Sequence, residues 1–112
     1  MEIKCSKVNG YGLYSSKSYS KNEIIHILNG DIYTDPTKYT IHVGNGVHIL
    51  DMYGRYMNHS FTPTTYIDGC KVVAFVDIDA GDELTFDYNK TEIEMAEPFV
   101  VGDVLVGGKI YY

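Results

Sequence analysis

Residues 55–60 read RYMNHS: an arginine, an aromatic and a methionine, followed by three side chains that all hydrogen-bond. Asn58 and Ser60 suit a turn, because both side chains bond nearby backbone. A turn does not ask for His59, nor for Arg55 three residues before Asn58. A serine beside a histidine invites a nucleophile–base reading. Adjacent residues on an irregular segment rarely face each other, however, and a usable pair normally comes from separate segments. No glycine-flanked serine marks a nucleophile elbow. Metal binding by His42, His48, His59 and Asp51 is conceivable, yet their spacing matches no zinc pattern. Taken alone, the segment reads as a loop of hydrogen-bonded side chains.

The chain around it has 112 residues, which fits one domain and leaves little room for a second. Hydrophobic residues make up 45% of it, enough for a globular core and too many for a disordered tail. Eleven tyrosines and no tryptophan carry most of the aromatic content, which suits strands, pocket rims and interfaces. The net charge of −6 argues against a nucleic-acid grip, which needs clustered Lys and Arg. It is compatible with a cationic partner such as a lysine-rich peptide, although from charge alone plain solubility is the preferred reading. Cys5 and Cys70 lie far apart without CxxC spacing, so neither a zinc ribbon nor a disulfide scaffold is signalled. No apolar run approaches a membrane span, and MEIKCSKVNG lacks the apolar core of a signal peptide. The expectation is a soluble, intracellular, cytoplasmic protein, or one of the host nucleus if the source is viral.

Short β-like runs recur, separated by turn residues. MEIKCSKV alternates loosely, and YGLYSSKSY follows a turn. EIIHIL (23–28) reads as a buried strand stopped by Asn29-Gly30-Asp31. KYTIHV (38–43) and VHIL (47–50) flank Gly44-Asn45-Gly46, a hairpin signature. CKVVAFVDI (70–78) is the strongest strand signal, ended by Asp79-Ala80-Gly81-Asp82, and ELTFDY (83–88) follows. Helical periodicity is nearly absent: DMYGRYM suits one turn, and TEIEMAE (91–97) another before Pro98. The fold class is mostly β, with many short strands.

Two other stretches stand out. Gly10-Tyr11-Gly12 lets backbone approach a ligand closely, although a plain β-turn explains it as well. In GDELTFDY (81–88), Leu84 and Phe86 share a strand face, and the strand would deliver the Tyr88 hydroxyl to a pocket. Taken singly, each has a structural explanation.

Taken in order, GYG, RYMNHS followed by Pro63, and AGDELTFDYN closely resemble the motifs of the SET-domain lysine methyltransferases. The family pattern is a Gly-aromatic-Gly turn, R-F-hydrophobic-N-H-S-C-x-P-N, and G-E-E-L-T-F-D-Y. Here Tyr56 replaces Phe, Met57 is the hydrophobic residue and Asp82 stands for the first Glu. The resemblance runs from about Val8 to Pro98. It implies a SET-domain, β-clip-like fold of small sheets, in which the C-terminal segment threads beneath a loop as a pseudo-knot and sets NHS beside ELTFDY.

It further implies S-adenosylmethionine as cofactor, held by Gly10, Tyr11, Gly12, Asn58 and His59, with Tyr88 packed against it. Arg55 either pairs with a cofactor carboxylate or braces the knot. Tyr88 stands at the position of the catalytic tyrosine, and Phe86 would line the lysine channel with it. In the family, Phe at the latter position tends to permit more than one methylation. The implied partner is a lysine-bearing protein or peptide, with a histone tail as the leading guess. No direct nucleic-acid or membrane partner is implied.

Phe61 and Thr64 stand where the family usually has Cys and Asn, and changed knot packing is expected. Residues 1–98 would form the SET domain, and 99–112 a tail like the cysteine-rich post-SET segment of relatives, but without its zinc ligands. Val100 or Val101, and Val104 to Val106, stand where those cysteines would be expected, so no metal is anticipated. The expectation is a zinc-free flap, with Tyr111 and Tyr112 completing its aromatic wall, or a merely packed terminus. Residues 29–50 are short for the specificity insert of larger relatives, as in minimal bacterial and viral SET proteins. One way for such a chain to complete its groove is to dimerise. The competing readings are a catalytically inactive SET-like module and an unrelated β-clip interaction domain.

Overall fold

The structure is a computed structural model, and it describes residues 1–7 and 10–109. Its centre is a four-stranded sheet. Strands β1 (Glu2–Cys5) and β2 (Tyr11–Tyr14) form an antiparallel pair, with β7 (Asn58–His59) on the far side of β10 (Glu83–Phe86), in the order β1-β2-β10-β7. A second sheet joins β3 (Ile24–Ile27), β9 (Lys71–Ala74) and β8 (Thr65–Asp68), in the order β3-β9-β8. A third joins β4 (Gly30–Tyr33), β6 (Val47–Asp51) and β5 (Ile41–Gly44), in the order β4-β6-β5. A one-turn helix, α1 (Tyr88–Thr91), follows β10, and a hairpin of β11 (Phe99–Val101) and β12 (Val104–Val106) ends the described chain. The architecture is mostly β, in small sheets.

Strand β10 is where sequence-distant motifs meet. It runs antiparallel to β2, with Leu84 opposite Leu13, and parallel to β7, with Thr85 opposite Asn58 and Phe86 opposite His59. Leu13, Leu84, Phe86 and Met57 are almost wholly buried, so the motif segments themselves build the core. Parallel partners need a crossover connection, and residues 60–82 supply it. Thr64 locks it: its N–H donates to Thr85 Oγ1 at 3.2 Å, while the Thr85 N–H donates to Thr64 Oγ1 at 3.0 Å. The Thr64 hydroxyl also donates to the Glu83 carbonyl at 2.9 Å. A threonine where the family usually has asparagine thus ties the crossover to β10.

Several strand expectations change. Ile24 and Ile27 are each 52% exposed, because β3 is a sheet edge and only its middle packs inward, with Ile25 against the core. Gly30 does not stop a strand; it opens β4, where a Cβ would lie 1.9 Å from the Leu50 carbonyl oxygen. The long run at 70–78 pairs only as far as Ala74. Beyond it the Phe75 N–H turns to Thr64, and Ile78 instead bridges Tyr19. Thr65–Asp68 is a strand that the run before it did not suggest, joined to β9 through a two-residue turn of left-handed Gly69 (φ 58°) and Cys70.

Helix α1 begins at Tyr88 rather than in TEIEMAE, because the Asp87 carboxylate accepts from the Asn89 N–H and caps it. Tyr88 therefore leaves a helix turn, not a strand, and residues 92–98 are non-helical. A 3-10 turn at Gly54–Tyr56 matches the turn read in DMYGRYM.

Asp51, 3% exposed, sets the entry to RYMNHS. Its carboxylate accepts from the N–H groups of Asn29, Tyr53 and Gly54 at 2.7 to 2.9 Å, and lies 2.9 Å from His26 Nε2. Burial by itself would raise its pKa, but the Asn29 and Gly54 N–H groups and His26 outweigh it and hold the carboxyl below its ordinary value. Asp51→Ala should destabilise the fold by about 3 kcal/mol, since it strands several buried donors at once. Urea unfolding at neutral pH checks this. The stabilisation is present above the unfolded-state value of 3.8 and is lost as pH falls through the depressed native one.

Candidate functional site

A cleft of about 1010 Å³ opens between the four-stranded sheet, the β4-β6-β5 sheet and the terminal hairpin. Gly10, Tyr11, Arg55, Asn58, His59, Phe86 and Tyr88 all line it. Gly12 does not. It lies in β2 against Glu83, where a Cβ would sit 2.6 Å from Glu83 Oε2. That close approach lets Glu83 accept from the hydroxyls of Ser6 at 2.7 Å and Tyr14 at 3.2 Å. Gly10, at φ 47° and with nothing within 4 Å of a notional Cβ, leaves bare backbone at the cleft.

Asn58 ties the two halves of the site together. Its side-chain NH₂ donates to the Tyr11 carbonyl at 3.1 Å and to Glu83 Oε2 at 2.9 Å. The glycine-aromatic-glycine turn is thereby fixed to β7 and β10. His59 is 7% exposed and receives the Tyr88 N–H on Nδ1 at 3.1 Å. Nε2 must then carry the ring proton, and this buried nitrogen has no partner among the described residues. Burial lowers the His59 pKa, partly countered by Asp87, so the ring is held neutral.

Tyr88 sits among aromatic rings: Phe86 at 4.8 Å, His59 at 5.3 Å and Phe99 at 6.2 Å between centroids. Its hydroxyl donates to the Met57 carbonyl at 2.5 Å. Burial, then the Glu92 and Glu83 carboxyls, push its pKa well above the ordinary phenol value. The group is a permanently protonated phenol whose one proton is committed. Toward the cleft its oxygen can only accept.

Glu92, also in the cleft wall, is absent from the motif-based set. It is 5% exposed and caps the end of α1, with its N–H donating to the Tyr88 carbonyl. Its Oε2 accepts from the His42 N–H at 2.9 Å. Burial raises its pKa to about 7, against the pull of that N–H. Nothing in TEIEMAE marks this glutamate; only the helix turn ending there and the packing of β5 bury it.

Arg55 lies over the rings of Tyr39, at 4.9 Å, and Tyr56, at 5.6 Å. It makes no ion pair among the described residues, so aromatic faces rather than a carboxylate hold it at the rim. Phe61, in the usual cysteine position, packs edge-on against His59 with centroids 4.4 Å apart.

The tail forms a flap held by Asn89, 1% exposed. Asn89 Nδ2 donates to the Leu105 carbonyl at 3.1 Å, and its Oδ1 accepts from the Gly107 and Gly108 N–H groups at 3.0 Å each. Val106 is fully buried beneath it, and Phe99 faces the cleft. Among the described residues no three His, Cys, Asp or Glu side chains gather as a metal set. Tyr111 and Tyr112 lie outside the described residues.

Because its native pKa is raised, Glu92 contributes stability that is fully present below about 4.5 and is lost as pH rises to about 7. Glu92→Gln keeps an acceptor for His42 and removes the buried charge. It should be more stable than the parent at pH 8, by roughly 2 to 3 kcal/mol, with the advantage gone at pH 4. Paired urea titrations at the two pH values measure this; equal differences at both would contradict it.

The model of the SET-domain family matches residues 31–89, which hold β4 through the first residues of α1. A search of curated proteins gives no match. Among solved structures, the chain is similar to one from Plasmodium falciparum described as a "putative histone methyltransferase". The two are 26% identical with a TM-score of 0.64, over 80% of this chain and 96% of that one. With over half its length matched by the family model, and with the three motifs gathered around one cleft, this chain belongs to the SET-domain family.

Proposed function

We propose that this protein transfers a methyl group from S-adenosylmethionine to a lysine side chain of a protein substrate. The observation that carries the reading is the Tyr88 hydroxyl, fixed by the Met57 carbonyl inside an aromatic-walled cleft. The implied cofactor fits the residues present. A cleft of about 1010 Å³ has room for a nucleoside-sized ligand and a lysine chain together. Gly10 offers open backbone, and the His59 Nε2–H is a buried donor awaiting an acceptor. Gly10, Tyr11 and the Asn58-His59 segment would hold the cofactor, with Phe61 and Phe99 supplying apolar faces and Arg55 a cation at the rim.

When bound, the cofactor supplies a methyl group on a positively charged sulfur. The chain's own residues then have three tasks. Phe86, Tyr88 and Phe99 make a dry channel, which disfavours the ammonium form of an entering lysine, whose ordinary pKa is about 10.4. The Tyr88 oxygen accepts an amine N–H, which turns the nitrogen lone pair along one line. The flap excludes water. Phe86 in place of a tyrosine leaves space beside the nitrogen, which favours products beyond monomethyl-lysine.

A lysine-rich peptide suits the net charge of −6. A histone tail is the first candidate, by likeness to the Plasmodium protein's description.

Tyr88→Phe keeps the ring and so should leave binding of S-adenosylhomocysteine nearly intact. The rate of transfer should fall on the order of a hundredfold or more, as expected when one aligning hydrogen bond is lost in a dry site. Asn58→Ala should behave oppositely and weaken cofactor binding first, because the turn at Tyr11 is released. Calorimetry and a single-turnover assay on both variants separate the two effects. Full rate in Tyr88→Phe would reduce Tyr88 to a core residue.

A further inference from the structure

The cleft holds a second group with a chemical capacity that Tyr88 lacks. Glu92 stands four residues after Tyr88 across the single turn of α1, so both side chains leave the same helix face. Both line the cleft. The His42 N–H fixes Oε2 of the carboxyl, and Oε1 has no hydrogen-bond partner among the described residues. No cation pairs with Glu92 there either. His42, packed against it from β5, has its ring engaged by the Thr91 carbonyl at Nδ1 and by the Gly46 N–H at Nε2. That fixes the Nδ1–H tautomer and leaves the ring no proton to lend. Across the cleft, Lys38 is paired with Glu97 at 4.0 Å, and Arg55 lies on its two tyrosines. Lys109 approaches Glu92 only through its backbone N–H, which donates to the Glu92 carbonyl. A buried carboxylate without a counter-charge is costly, and an entering cation relieves that cost.

We infer that Glu92 is the group that receives the substrate lysine's ammonium and takes its proton. The inference rests on the methyltransferase reading and deepens it. The ammonium R–NH₃⁺ gives one proton to the Glu92 carboxylate, producing a neutral amine and a neutral carboxylic acid. Both charges vanish, which a dry site favours. Tyr88 cannot take that proton, since its oxygen already carries one, donated to Met57. It accepts one of the amine's remaining N–H bonds instead. The methylated nitrogen leaves as a cation, and Glu92 returns its proton to solvent water. A carboxyl whose pKa lies near 7 can do this at physiological pH, where an ordinary carboxylate is too weak a base.

Two measurements test it. The first uses the protein without cofactor, its glutamate carboxyls labelled with carbon-13 and Glu92 assigned through Glu92→Gln. The Glu92 titration midpoint should rise on addition of n-butylammonium, because the bound amine's proton sits on the carboxyl, and stay put with n-butanol. A midpoint unmoved or lowered by the amine overturns the proposal. The second is a single-turnover pH profile on a lysine peptide that the parent methylates. The parent's rate should level off a little above pH 7. Glu92→Gln should be at least tenfold slower at pH 7.5 and keep rising towards the free lysine pKa of about 10.4. Superimposable profiles overturn the proposal. If the parent methylates no peptide at any pH, the methyltransferase reading fails, and the n-butylammonium titration still decides whether Glu92 receives an amine.

Discussion

The parallel pairing of Asn58-His59 with Thr85-Phe86 is the contact on which the site depends. Two residues of β7 against two of β10 make a weak ladder by themselves, and parallel pairs are no stronger than antiparallel ones. What sustains it is reciprocal side-chain bonding around it. Thr64 and Thr85 exchange backbone-to-hydroxyl bonds, the Thr65 hydroxyl donates to the Thr85 carbonyl, and the Ser60 N–H donates to the Phe86 carbonyl. Because β10 also pairs with β2, one strand places the Gly10-Tyr11 turn, the Asn58-His59 segment and Tyr88 around a common space. Remove the crossover, and the Asn58-His59 segment has no reason to lie beside the other two.

The aromatic wall around Tyr88 is kept free of fixed charge, the charged Arg55, Lys38 and Glu97 lying elsewhere in the lining. Tyr88 stays a phenol, His59 is neutral, and Glu92 is poised between its two forms. The flap beside the cleft is held by the Asn89 amide and by two backbone bonds, from the Met95 N–H to the Gly107 carbonyl and from the Lys109 N–H to the Glu92 carbonyl. Three bonds to Asn89, at about 1 kcal/mol each, contribute far less than the roughly 10 kcal/mol or more of a structural zinc site.

Motif order in the sequence made the cleft legible, because RYMNHS and ELTFDY carry their chemistry in consecutive residues. Strands with local turn signals were legible for the same reason, as at Gly44-Asn45-Gly46. Less legible were features fixed by tertiary packing. The turn at Gly69-Cys70 was masked by the louder apolar run at 70–78, of which Cys70 is the first residue, and that run was cut short when Phe75 turned to Thr64. Gly12 carries the same letter as Gly10 but serves the fit of Glu83 rather than the cleft wall. Asn89 and Glu92 look like ordinary surface residues of a polar turn. They are buried only because the hairpin and β5 close over them.

The most direct test of the account is mass spectrometry of lysine peptides incubated with the protein and S-adenosylmethionine, alongside the same peptides with each lysine replaced by arginine. The account predicts methyl additions on lysine-bearing peptides alone, abolished or nearly so in Tyr88→Phe. Calorimetric binding of S-adenosylhomocysteine with no methyl addition to any lysine peptide would contradict it and leave a SET-domain protein that binds without catalysing.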